Sequence, residues 1–228
     1  MTISLVGIDA DDTLWHSENY FAVTEERFRS LLAPWIDGAD AGVRLLERER
    51  ANLRLFGYGI KGFTLSMIET AIEVSEATVG IEAIEAIVGW GKEMLAHPVE
   101  LLPGVAETIA ELAQNHRLAL LTKGDLFHQE SKIAESGLAD YFDTIEILSE
   151  KAPANYQRVL DRLGVPASEF VMVGNSVRSD VLPVLELGGR AAHVAYHVTW
   201  GHEVVDDEVG DWFVLDRFAS LPDLLAQL

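Results

Sequence analysis

The 228-residue sequence predicts an α/β fold, an open parallel sheet interrupted by an all-helical insertion. Three observations lead there. Short apolar runs recur along the chain and each stops at a polar residue or a glycine, the pattern of strands buried on both faces of a parallel sheet. Helical patterns separate those runs, which implies βαβ crossovers. One long stretch, 15–97, carries helical periodicity and no convincing strand.

The first strand is expected at 3–8, halting at Asp9. The insertion follows. Its apolar residues recur at three- and four-residue spacing over 18–32, 40–55, 63–74 and 81–95, with breaks at Pro34, Gly38, the glycine-rich turn 57–62 and Gly80. Four helices should form a small bundle. Pro98 and the Leu102-Pro103-Gly104 turn lead back to the sheet, giving an expected division into 1–14 with 98–228 for the sheet domain and 15–97 for the insertion. Further strands are expected at 118–121, 145–148, 170–173 and 191–195, alternating with helices at 104–113, 126–136, 153–163 and 181–187. Residues 212–215 add a candidate edge strand, and 203–211, with five acids and little periodicity, reads as a solvated loop.

Apolar residues make up 49% of the chain and charged residues 24%, enough to bury a core and too little polarity for wholesale disorder. Seventeen Lys and Arg against thirty-seven Asp and Glu leave a net charge of −20, which argues against nucleic acid and anionic membrane surfaces as partners. The absence of cysteine excludes disulfides, zinc thiolate sites and a thiol nucleophile. No signal segment opens the chain and no apolar run nears the ~18 residues of a membrane span. A cytoplasmic protein, monomer or homodimer, is expected.

In open parallel sheets ligands bind beyond the carboxyl ends of the strands. Here those ends carry Asp9, Asp11 and Asp12, then Thr122 and Lys123, then Lys151, then Asn175, Arg178 and Asp180. Three acids fall within the four positions 9–12. Like charges that close stay ionised only beside a cation or hydrogen-bond donors; a bound divalent metal is the simplest remedy, and Mg²⁺ prefers such oxygen ligands. A turn rich in Asp with a helix N-cap is the plainer alternative. Taken singly, each has a plainer reading: Thr122 as a cap, Lys151 as a solvated lysine, Asn175 as an Asx-turn residue, Asp180 as a helix N-terminal acid and Arg178 as an exposed arginine. Pro153, near the first position of its helix, fixes Lys151 just outside the helix N-terminus.

In order and spacing, Asp9-x-Asp11-x-Thr13 after an apolar strand, Thr122 ending a second, Lys151 ahead of a helix and Gly174-Asn175-Ser176-x-x-x-Asp180 after a fourth resemble the four motifs of the haloacid dehalogenase-like hydrolase superfamily. The resemblance spans 3–195, and the insertion is similar in position and helix count to the cap domain of many members. It implies a Rossmann-like three-layer core with a helical cap, and a Mg²⁺-dependent phosphatase acting on a small phosphorylated metabolite. Asp9 would be the nucleophile that forms an aspartyl-phosphate, and Asp11 the general acid and then base. Thr122 and the Lys123 backbone N–H would hold phosphate oxygens, with Lys151 neutralising nucleophile and phosphate. Asp9, the Asp11 backbone carbonyl, Asn175 and Asp180 would hold the metal, Asp180 directly or through water, with orientation of Lys151 as its alternative role. Arg178 would add positive charge, Trp15 would line the pocket or act near the hinge, and Tyr58 and Lys61 in the cap would reach the leaving group.

Asp11 separates the chemistries. Dehalogenating members lack an acid two residues after the nucleophile, so phosphoryl transfer is favoured. Asn175 is a departure, since most members carry an aspartate there, and a neutral oxygen should weaken metal binding. A 2-haloacid dehalogenase, a phosphotransferase and a non-catalytic binding protein on the same scaffold are the alternatives. Gly57-Tyr58-Gly59-Ile60-Lys61-Gly62 matches the dinucleotide pattern G-x-G-x-x-G but follows a charged helical stretch instead of a strand, so it is set aside in favour of a flexible turn or, equally, a plain interhelical loop. His197, His202 and Glu203 share no helix face and lack a further clear ligand, so no metal cluster is expected there.

Overall fold

The computed structural model describes residues 3–205 and 210–228. They fall into two compact units, one ending at Ser17 and resuming at Val99, the other Glu18–Pro98. The first holds a parallel sheet of six strands: β1 (Leu5–Ile8), β2 (Leu118–Lys123), β3 (Thr144–Leu148), β4 (Phe170–Gly174), β5 (Arg190–Val194) and β6 (Phe213–Leu215). Their spatial order is β3-β2-β1-β4-β5-β6. β1 therefore pairs with β2 on one side and β4 on the other, with Val6 opposite both Leu118 and Val171. The strand order reverses at β1, which makes its carboxyl end, at Asp9, the crevice of the sheet.

The second unit is a bundle of α1 (Glu18–Leu32), α2 (Gly38–Phe56), α3 (Ile60–Val74) and α4 (Ile81–Leu95). Phe28, Leu45, Met67 and Ile87 form its core, the one-face spacing of amphipathic helices. Asn52 is buried there because its amide donates to Ser66 at 3.1 Å and to Glu69 at 2.8 Å. The sequence places a turn over 57–62, but α3 begins at Ile60, so Lys61 and Gly62 are helical. Gly59, at φ 104°, makes the reversal that ends at this helix, and Gly62 fits because a Cβ there would lie 2.9 Å from the Gly57 carbonyl oxygen.

Alternation along the strands sends side chains to two helical layers. Val6, Ile8, Leu120, Val171 and Val173 face α5 (Val105–Leu112), α6 (Leu126–Ser136) and α9 (Leu221–Leu225). Leu5, Ala119, Leu121, Phe170 and Met172 face α7 (Pro153–Leu163) and α8 (Leu182–Glu186). Gly7 leaves room for Phe170, whose ring edge would lie 2.6 Å from a Cβ at that position. This is the three-layer Rossmann-like α/β arrangement with an all-helical insertion. The edge strand expected over 212–215 is β6 at Phe213–Leu215, while α9, opened by Pro222 and only five residues long, is a helix not expected from the sequence. Among the described residues no helix is long and apolar enough to cross a membrane.

Candidate active site

β1 delivers Asp9 to the crevice, and the Asp9 N–H extends the ladder to the Val173 carbonyl at 2.9 Å. A tight turn follows. The Leu14 N–H donates to the Ala10 carbonyl at 2.8 Å, and Asp12 takes the left-handed conformation, φ 60°, that Asp tolerates better than most residues. The turn splits the three acids. Asp12 accepts the Ser17 N–H at 2.9 Å. Asp11 accepts from Lys132 Nζ at 2.5 Å, Trp15 Nε1 at 2.6 Å and Gln129 Nε2 at 2.9 Å. Asp9 accepts from Thr13 Oγ1 at 3.2 Å and from the Lys151 ammonium.

Lys151 is the centre of a buried ion triad. Its side chain is 2% exposed and donates to Asp9 and, at 2.6 Å, to Asp180, themselves 8% and 1% exposed. Pro153 in the first turn of α7 sets the approach, and the Lys151 N–H is taken by Glu150 at 2.9 Å. Asp180 sits in a π-helical turn, Val177–Val181, where its second oxygen accepts the Ser176 N–H at 3.0 Å. Burial opposes the Lys151 charge, but Asp180 and Asp9 outweigh it and hold the ammonium above its usual range. Burial pushes the Asp9 carboxyl up to about 7; Lys151 opposes this, and Asp180 and Asp11 add to it. For Asp11 burial again works against the charge, yet Lys132, with Gln129 and Trp15, holds the carboxyl below its ordinary value. The like-charge problem posed by the acidic run is thus met largely by two lysines.

Thr122, on β2, is buried and receives Gln129 Nε2 at 3.3 Å, while the same amide donates to the Lys123 carbonyl at 2.8 Å. The Lys123 ammonium turns to Ser179 Oγ at 2.8 Å and Glu203 at 2.5 Å. Glu203 is therefore not the solvated acid the sequence suggested. Its side chain is 10% exposed, because buried donors on two elements converge on it. Residues 206–209 of the same stretch lie outside the described residues.

Asn175 follows β4, and its N–H donates to Thr13 Oγ1 at 3.1 Å. Its side-chain amide reaches the Asp11 carbonyl and Asp9 Oδ2, each at 3.2 Å when the NH₂ is turned to them. With the amide oxygen turned instead, it faces the Asp11 carbonyl and Asp9 Oδ2, and the Thr13 hydroxyl is the donor at hand, 3.2 Å from Asp9 Oδ2 and 3.4 Å from the Asn175 oxygen. That all-oxygen set suits Mg²⁺. Among the described residues no three His, Cys, Asp or Glu side chains group to hold a metal, so a cation here relies on Asn175 and a backbone carbonyl.

The remaining sequence candidates lie elsewhere. Arg178 is exposed and donates to the His202 carbonyl at 2.7 Å. Trp15 is 1% exposed and supports Asp11 from within the core. Tyr58 and Lys61 belong to the helical unit, half-buried and exposed respectively. His197 packs against Tyr196 and His202 against Trp200, in both cases with the rings tilted. Gln129 and Lys132 were missed. Their three-residue spacing on the helix that starts at the end of β2 puts both on one face beside the crevice, a signal present in the sequence.

A family model described as haloacid dehalogenase-like hydrolase matches residues 3–188. The chain belongs to that family. The haloacid dehalogenase-like fold extends to a solved structure, a family hydrolase from Xanthomonas campestris, at 45% identity and TM-score 0.89, covering 99% of this chain and 91% of that one. N-acylneuraminate-9-phosphatase of Mus musculus is 35% identical over 107 residues, 45% of this chain and 43% of that protein. Phosphoglycolate phosphatase of Pectobacterium atrosepticum is 34% identical over 127 residues, 53% of each. The chain thus matches about half the length of these two relatives.

Proposed function

We propose that this haloacid dehalogenase-like hydrolase is a Mg²⁺-dependent phosphatase that cleaves a small phosphomonoester through an aspartyl-phosphate on Asp9. The observation that carries the reading is Asp11, a second carboxylate two residues beyond Asp9 and held by Lys132, Trp15 and Gln129. A halide leaves without a proton, whereas an alkoxide needs one. The relatives named as phosphatases support the same chemistry.

In this reading Thr122 Oγ1 and the Lys123 N–H hold phosphate oxygens, and Lys151 offsets the charge of both phosphate and Asp9. An Asp9 oxygen attacks phosphorus while the ester oxygen leaves with a proton from Asp11. Asp11 then takes a proton from the water that attacks the phosphorus of the aspartyl-phosphate, freeing Asp9 and inorganic phosphate. Asp11 is held ionised by Lys132, the form required for the second step. In the first step the substrate's leaving oxygen takes the place of Lys132 beside a protonated Asp11. Mg²⁺, held by Asp9, the Asp11 carbonyl and Asn175, would supply charge neutralisation for the transferring phosphoryl group. Asp180, on Lys151, orients that lysine. The helical unit, which carries Tyr58 and Lys61, is the cap in this reading.

A screen of phosphorylated metabolites with Mg²⁺, anchored by p-nitrophenyl phosphate, tests the reading. Phosphate release that is lost in Asp9→Asn supports it, and no release from any phosphomonoester overturns it. One observation favours a second reading, 2-haloacid dehalogenation: the neutral Asn175 amide can satisfy Asp9 and Asp11 without a cation. Chloride release from a 2-haloacid in chelator would establish it.

A further inference from the structure

Glu203 lies in the connection between β5 and β6, where neither strand nor helix calls for a carboxylate. Buried acids are rare unless paired, and this one gathers three partners from two elements. Its Oε1 accepts from Lys123 Nζ at 2.5 Å. Its Oε2 accepts from Ser176 Oγ at 2.5 Å and Ser179 Oγ at 2.7 Å. Both serines belong to the turn that bears Asp180. Because the Ser176 hydroxyl gives its proton to Glu203, its lone pairs remain for the Ser179 N–H, received at 3.0 Å, which caps the π-helical turn. Lys123 also donates to Ser179 Oγ at 2.8 Å, so the end of β2 and the turn after β4 are joined through one carboxylate. From that turn the contacts run through Asp180 to Lys151 and on to Asp9.

We propose that Glu203 is a positioning residue for the reaction at Asp9: by binding Lys123, Ser176 and Ser179 together it sets the turn that keeps Asp180 on Lys151. This rests on the reading of Asp9 as the nucleophile. Glu203 touches none of the reacting groups, so its removal misplaces Lys151 without removing a substrate contact.

The test uses the full chain with p-nitrophenyl phosphate and Mg²⁺. Glu203→Ala is expected to lower kcat about ten- to a hundredfold with KM changed much less, the size usual for supporting residues. Glu203→Gln, which retains an acceptor oxygen for the serines, is expected to recover part of that loss. Lys123→Met combined with Glu203→Gln should lose no more than the worse single variant, because the two groups act as one unit. A wild-type kcat in Glu203→Ala, or a loss confined to thermal stability, overturns the proposal. Peptide-resolved amide exchange supplies a readout independent of turnover. Exchange in Glu203→Ala that quickens at 176–181 while other segments keep their rates supports the clamp; unchanged exchange at 176–181 overturns it. Wild-type protein inert toward phosphomonoesters would overturn the phosphatase reading alone, and the exchange result would still decide the clamp.

Discussion

Lys151 donates to the carboxylate of Asp9 across 142 positions of sequence, with both side chains almost wholly buried. Neither charge would be tolerated there alone. The same ammonium binds Asp180, so one cation stands between two acids and the local balance is negative by one charge. A divalent cation turns that deficit into a local excess of one positive charge, the sign that attracts a phosphate.

Asp9→Asn should abolish turnover, by about a thousandfold or more, and leave the fold intact, since Lys151 keeps Asp180 and one of two crowded acids is gone. Thermal unfolding should place its midpoint at or above that of the wild type. The wild-type kcat/KM should fall as pH drops through about 7, because burial raises the Asp9 carboxyl and the protonated form cannot attack. Added Mg²⁺ should move that acid limb lower; a limb indifferent to Mg²⁺ counts against Asp9 as a ligand.

Lys151→Met should be the most destabilising single change at the site. It strands two buried carboxylates, a loss of about 3–5 kcal/mol measurable by urea unfolding at pH 7. Pairing it with Asp180→Asn should restore part of the stability and none of the activity.

Asn175→Asp should separate the metal question from turnover. Titration calorimetry should show Mg²⁺ bound about tenfold or more tightly, an extra 1.4 kcal/mol. In chelator the same variant should melt below the wild type, because a third carboxylate replaces an amide that donates to Asp9 and the Asp11 carbonyl.

Lys132→Met removes the largest favourable charge on Asp11, so its carboxyl rises and more of it is protonated at pH 7. The rate for an alkyl phosphate relative to p-nitrophenyl phosphate should increase, since only the alkoxide depends on a proton donor. An unchanged ratio would argue against Asp11 as the acid.

Glu203 titrates in the acid range. Burial opposes its charge, but Lys123 and the two serines hold its carboxyl down to about 2 from an ordinary 4.5. A depressed folded value means the stabilisation is full above 4.5 and is lost as pH falls toward 2, on the order of 3 kcal/mol. Acid unfolding of Glu203→Gln should therefore show a shallower dependence on pH across that window.

The sheet and the bundle were legible because burial imposes a period. Strands covered on both faces read as unbroken apolar runs, and the inserted helices repeat at three and four residues. Boundaries shifted where glycine or capping geometry decided them, as at Gly59 before α3 and Asp37 before α2. The motif residues Asp9, Asp11, Thr122, Lys151 and Asp180 were legible because each ends a strand or opens the segment after one.

By itself the sequence determined the α/β class, the helical insertion and the strand ends that carry polar groups, all of which follow from local pattern and spacing. Only the tertiary structure decided which cation serves which acid. Lys132 rather than a metal alone answers Asp11, Lys151 joins Asp9 to Asp180, and Glu203 leaves its acidic stretch to hold Lys123. Charge pairing depends on distance through space and on burial, and neither is encoded in the spacing of residues more than a few positions apart.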